Sequence, residues 1–136
     1  MTPLEKLLPL VTQHPLHRAM GVTTIDAADG RAQLEIVVAG DTVNPAGVFH
    51  GGVAYCLCDM ACYAALLSVL KGDENAVTHD IHVSMLRGAR IGDRVRFSAR
   101  VLKRGRNVAF MEAEAHCGDQ LMARATVTKS ILGTGA

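Results

Sequence analysis

From Val53 to Leu70 the residues are apolar or small on every side, and the one formal charge among them is Asp59. A helix that is apolar all round has no face for solvent, so it has to be buried. The remainder of the chain must therefore wrap it. The stretch is just long enough to span a bilayer, but a carboxylate near its middle would be costly there, and its flanks are polar and strand-like. The pattern predicts a core helix.

A carboxylate in such surroundings is expensive unless it is hydrogen-bonded or neutralised, and desolvation pushes its pKa upward, which suits proton transfer near neutral pH. An Asp that merely satisfies a nearby hydroxyl, amide or backbone N–H fits Asp59 equally well. At the start of the same stretch stands His50-Gly51-Gly52. Free N–H groups and the positive end of the dipole gather at a helix N-terminus, and glycine lets a substrate approach that backbone with no Cβ in the way. This suits an oxyanion hole. Two glycines can also simply make a tight loop.

Asn44, then Gly47, then His50-Gly51-Gly52, then Asp59 resembles the signature of the hotdog-fold acyl-CoA thioesterases, specifically the PaaI-like (phenylacetate-degradation) group of the 4-hydroxybenzoyl-CoA thioesterase superfamily. His14-Pro15-Leu16 with Gly21, and Ser84-Met85-Leu86-Arg87 followed by Gly92-Asp93, fall in that group's order, so the resemblance covers nearly the whole chain. It implies that the Gly51 N–H polarises a thioester carbonyl while Asn44 and His50 orient that carbonyl or the attacking water. It also implies a homodimer, doubled to a homotetramer. An arylacetyl or medium-chain acyl group fits it. No metal or organic cofactor is expected, since coenzyme A is part of the substrate.

At 136 residues the chain is expected to form one domain, 1–136. A net charge of +1, no basic stripe, and few aromatics with no Trp argue against nucleic acid. MTPLEKLLPL has no sustained apolar run and no small-residue cleavage site, so no signal peptide is expected and a cytoplasmic location is the simplest. Cys56 and Cys58 face different ways on a helix, and Cys58 and Cys62 lack a second ligand pair. Small buried thiols are the expectation, and the six histidines show no ligand spacing either.

Along the chain, Leu4, Leu7, Leu8 and Val11 predict a short helix over Pro3–Gln13 with Pro9 as a kink. Strands are expected at about Ala19–Ala27 and Arg31–Ala39, hinged at Asp29-Gly30, followed by a loop Gly40–Phe49 and the central helix, stopped near Gly72. Val77–Leu86 predicts a strand with Val77, Ile81, Val83 and Met85 on one face. Arg94–Leu102, Val108–His116 and Leu121–Ile131 complete the set, and Gly133–Ala136 is expected to fray. One long helix against an antiparallel sheet of about six strands is an α+β class; the hotdog name comes from the resemblance.

Thioester hydrolysis needs a carbonyl donor, a base or nucleophile, and a hold on coenzyme A. Gly51 supplies the first and Asp59 the second, by activating water or by attacking to form a mixed anhydride. Gly52 keeps the approach to the helix start open. For the coenzyme A phosphates, Arg87 and Arg106 are selected from Arg87, Arg90, Lys103, Arg104 and Arg106 because both flank glycine turns. Tyr63, one turn after Asp59, can reach the acyl group or Asp59 itself. A hotdog enoyl-CoA hydratase would carry a His five residues after its Asp, where Ala64 stands. A non-catalytic acyl-CoA binding or sensing module has no need of a buried carboxylate.

Finally, Gly51 and Asp59 are eight residues apart, about 12 Å along a helix axis. They cannot both reach one thioester carbon from one helix. Two central helices laid antiparallel about a two-fold would bring Gly51 of each chain opposite Asp59 of the other.

Overall fold

Period-two alternation in the second half of the chain builds the wall against which the apolar helix is buried. The computed structural model describes residues 1–136. Its elements are helices α1 (Pro3–Thr12) and α2 (Pro15–Ala19), strands β1 (Asp26–Ala28) and β2 (Arg31–Val37), helix α3 (Gly51–Leu67), and strands β3 (Asn75–Met85), β4 (Arg94–Arg104), β5 (Val108–Cys117) and β6 (Gln120–Leu132). The strands form one antiparallel sheet in the order β1-β2-β4-β5-β6-β3. This is the α+β hotdog arrangement, with α3 lying across the inner face of the sheet, chiefly on β4, β5 and β2.

On β2, Ala32, Leu34 and Ile36 are buried while Arg31, Gln33 and Glu35 face out. On β4, Val95, Phe97 and Ala99 face in, and Arg100 pairs outside with Glu112 of β5. Inward positions of β5 and β6 are mostly alanine (Ala109, Ala113, Ala115, Ala123, Ala125), which leaves room for Leu57, Leu66 and Leu67 of α3. Cutting any one of these leucines to Ala would cost about 2–5 kcal/mol, because a packed site collapses only partly. No helix is long and apolar enough to cross a membrane.

Two local expectations are corrected. Residues 15–19, where no element was expected ahead of the strand at Ala19, are helical: Pro15 sits in the first turn, where its missing N–H costs nothing, and His14 caps the helix by accepting from Leu16 N at 3.2 Å. The strand expected from Ala19 is thereby reduced to Asp26–Ala28, which closes on β2 through Asp29 and Gly30, both with positive φ (54° and 77°). The central helix begins at Gly51, within the His50-Gly51-Gly52 start expected for it, and His50 provides the cap. Lastly, Gly133–Ala136 is tied down. Asp73 accepts from Thr134 N (2.9 Å), Gly135 N (3.0 Å) and the Thr134 hydroxyl, holding its carboxyl below the usual range, and a Cβ on Gly72 would collide with Ala136.

The largest correction concerns β3. Thr78 pairs with Lys129 and Asp80 with Thr128, so His79 is an extra residue, a bulge. A bulge shifts the parity of the pleat. Ile81, Val83 and Met85 stand opposite Val127, Ala125 and Ala123 and face the helix, as expected, but before the bulge it is Thr78 and Ala76 that face inward. Val77 points the other way and is 49% exposed.

Candidate active site

The start of α3 is assembled from local sequence. Asn44 Oδ1 accepts from Ala46 N (2.9 Å) and Val48 N (3.0 Å), folding the Gly47 turn on itself and leaving the Asn44 amide NH2 without a partner in the chain. His50 N donates to the Thr42 carbonyl, and His50 Nδ1 accepts from Gly52 N at 2.8 Å. That bond makes Nδ1 the lone-pair nitrogen of a neutral imidazole, so Nε2 carries the hydrogen and is the outward donor. His50 thus caps the helix and keeps a donor free. The Gly51 N–H has no acceptor within the chain, and the space a Cβ would occupy there is empty. Asn44, Phe49, Gly51, Leu86 and Arg87 line one open hollow of about 310 Å³. Gly52 is exposed beside it, its N–H used by the cap.

Asp59 lies in a second hollow, of about 230 Å³, with His17, Cys56, Met60, Tyr63, Thr78 and Lys129. It is neither sealed off nor unpaired. Its side chain is 35% exposed, and Oδ1 accepts from Lys129 Nζ at 2.9 Å and the Thr78 hydroxyl at 2.7 Å. Lys129 Nζ also donates to Thr78 Oγ1 at 2.7 Å and lies 5.3 Å from the centre of the Tyr63 ring. The Tyr63 hydroxyl donates to Asn75 Oδ1 at 2.6 Å, so Tyr63 offers the hollow its ring and its hydroxyl is not bonded to Asp59. His17 Nδ1 lies 2.8 Å from the Val11 carbonyl, which can only accept, so it is Nδ1 that holds the ring hydrogen.

The thiols nearby are poor nucleophiles. Burial, and then the Asp59 charge, push Cys58 up to about 12, and the same two causes raise Cys56; Cys62 rises too, by burial first. That leaves Asp59 as the anionic group of the hollow.

Of the sequence-selected residues, the fold brings Asn44, Gly51 and Arg87 together at one end of α3, with His50 and Gly52 beside them, and Asp59 with Tyr63 further along. Arg106 is with neither group: it sits in the β4–β5 turn, next to Arg104, whose guanidinium pairs with Glu74. Three residues of the Asp59 hollow escaped sequence reasoning, namely His17, Thr78 and Lys129. The signal for Lys129 was present, since the alternation that places Ala125, Val127 and Ile131 inside places Lys129 with them. Thr78 gave none, because the bulge reverses its parity.

Residues 46–123 match the model of the thioesterase superfamily. Human acyl-coenzyme A thioesterase 13 is 31% identical over 81% of this chain and 79% of its own length. Among solved structures, a conserved protein of Pseudomonas aeruginosa superposes with a TM-score of 0.81 at 30% identity, over 90% of this chain and 97% of that one. A phenylacetic acid degradation-related protein of Ralstonia eutropha gives 0.82 at 26% identity, over 95% and 99%.

Proposed function

This chain belongs to the thioesterase superfamily, and we propose that it hydrolyses an acyl-CoA ester to the free acid and coenzyme A, with Gly51 as oxyanion donor and Asp59 as base or nucleophile. The observation that carries the reading is that one helix offers both an unpartnered N–H at Gly51 and a carboxylate at Asp59 anchored through a single oxygen. As base, Asp59 takes a proton from water while the water oxygen adds to the carbonyl carbon. As nucleophile, its own oxygen adds, and water later cleaves the anhydride. Either way the C–S bond breaks, coenzyme A leaves as the thiolate and takes up a proton, and negative charge on the carbonyl oxygen peaks where the Gly51 N–H waits. The Asn44 amide and His50 Nε2–H are further donors at that end. Arg87, in the same hollow, is the choice for a coenzyme A phosphate; Arg106 is a choice only if a second chain brings it near.

The site is proposed to be shared by two copies. Eight helical residues separate Gly51 from Asp59, about 12 Å, and the two hollows have no residue in common. A partner helix laid antiparallel would bring its Asp59 to this Gly51. Support comes from β3, one of the two edge strands of the sheet, where Val77 and Met85, with Leu86 just beyond, leave apolar surface uncovered. Doubling to a tetramer is part of the same proposal. The test of function is thiol release from butyryl-, octanoyl- and phenylacetyl-coenzyme A. Wild type is expected to turn over at least one of them and Asp59→Ala none; activity in neither protein, or equal activity in both, rejects the reading.

A further inference from the structure

Lys129 is only 2% exposed, and it occupies an inward position of β6 whose neighbours on the same face, Ala125, Val127 and Ile131, are all apolar. Taking an ammonium out of water is costly, and ion pairs in such places are commonly no more stabilising than well-packed apolar side chains. Stability alone therefore gives little reason for a lysine here. Its bonds give a better one. Nζ donates to both Asp59 Oδ1 and Thr78 Oγ1, and Thr78 in turn donates its hydroxyl hydrogen to the same Oδ1. Three groups from α3, β3 and β6 close a triangle in which each side is one hydrogen bond, two from Nζ and one from the Thr78 hydroxyl. Oδ1 holds two donors, and Oδ2 holds none from this chain. Rotating the carboxylate out of this plane would break both bonds, and a half turn only exchanges two equivalent oxygens, so one oxygen is always anchored and the other always presented.

Resting on Asp59 as the reacting carboxylate of a thioesterase, we propose that Lys129 is a positioning residue: it locks the Asp59 carboxylate by Oδ1 and so selects Oδ2 as the oxygen presented to water or to the thioester. The Tyr63 ring, 5.3 Å from Nζ at its centre, and the Thr78 hydroxyl hold the ammonium in turn. Lys129 itself touches no substrate. It acts by fixing one torsion of the group that does.

Wild type, Lys129→Met and Lys129→Gln are compared for thiol release from the same three esters, with melting temperature and oligomeric state measured on the same preparations. Met fills the volume with no donor, and Gln keeps one neutral donor. Lys129→Met is expected to lose about a hundredfold in kcat with KM within about twofold, since loss of alignment acts on the reacting geometry rather than on binding. Lys129→Gln is expected between Met and wild type. A folded variant of either kind with wild-type kcat overturns the proposal, as does an effect confined to KM or a kcat loss matched by loss of folded protein. Should Lys129→Met fail to fold, Lys129→Gln decides by the same criteria. Absence of turnover by wild type itself would reject the thioesterase reading, and this proposal with it; an active wild type with an equally active variant rejects this proposal alone.

Discussion

The two ends of the chemistry proposed for α3 are built in opposite ways. Around Gly51 the side-chain bonds are all local, Asn44 to Ala46 and Val48 and His50 to Gly52, while the backbone is tied from His50 back to Thr42 and from Phe49 across to Ala89. Around Asp59 the supports are distant, Thr78 from 19 residues on and Lys129 from 70. A donor that is a backbone N–H needs only a well-made helix start. A carboxylate with a freely turning side chain needs walls, and those come only from tertiary structure. The first end should therefore tolerate side-chain changes that preserve the turn, whereas the second should be sensitive to any strand that supplies a wall.

The sharpest way to break this contrast is Asp59→Asn. It should fold and lose about 10²–10⁴ in kcat, and near-normal turnover would remove the carboxylate from the mechanism. At the other end, Gly51→Pro deletes the N–H at a position where proline suits the first turn, and should lose about 10²–10³. On the shared-site proposal each should be nearly inactive when paired with itself. Co-refolded together, half the pairs are mixed and each mixed pair has one intact site, so about a quarter of wild-type activity should return. Proven heterodimers with no recovery would mean that both residues serve a site within one chain.

Smaller effects sharpen the division. Arg87→Ala should raise KM about tenfold for every ester alike, the scale of one charged hydrogen bond. Tyr63→Ala should instead reorder the esters by acyl group, and an Arg87→Ala variant that reorders them would show the assignment to be reversed. Smallest of all is an effect of acid on the tail. Bonds from Thr134 and Gly135 do not concern either hollow, yet they lower the Asp73 carboxyl. A lowered carboxyl contributes stability that is present above its ordinary range and lost as pH falls through the lowered folded value. Amide exchange at Thr134 and Gly135 should stay slow through mild acid and quicken only below that range; quickening already at pH 5 would contradict the clamp.

How legible each end was follows from the same contrast. His50-Gly51-Gly52 and Asn44 could be read because their partners lie within a few residues, and the core helix because a single charge in an apolar stretch stands out. The strands β4, β5 and β6 were readable from alternation, and so, with one more step, was Lys129. Thr78 was not, since the parity of β3 is set by its pairing with β6 and not by its own letters. The strand start at Ala19 was misjudged for a related reason: whether His14-Pro15 opens a helix ahead of it depends on what His14 finds to cap.

The bulge at His79 carries a consequence for heredity. Register holds on both sides of the extra residue, Thr78 opposite Lys129 and Asp80 opposite Thr128, so deletion of His79 alone would leave a plain ladder with Thr78 still turned toward Asp59. His79 reaches only Ser130 on the outer face. Exchange of its side chain should be nearly silent, and so should its loss. Spelling and length should both be free to drift at this one position, while Thr78 and Lys129 on either side of the ladder should not.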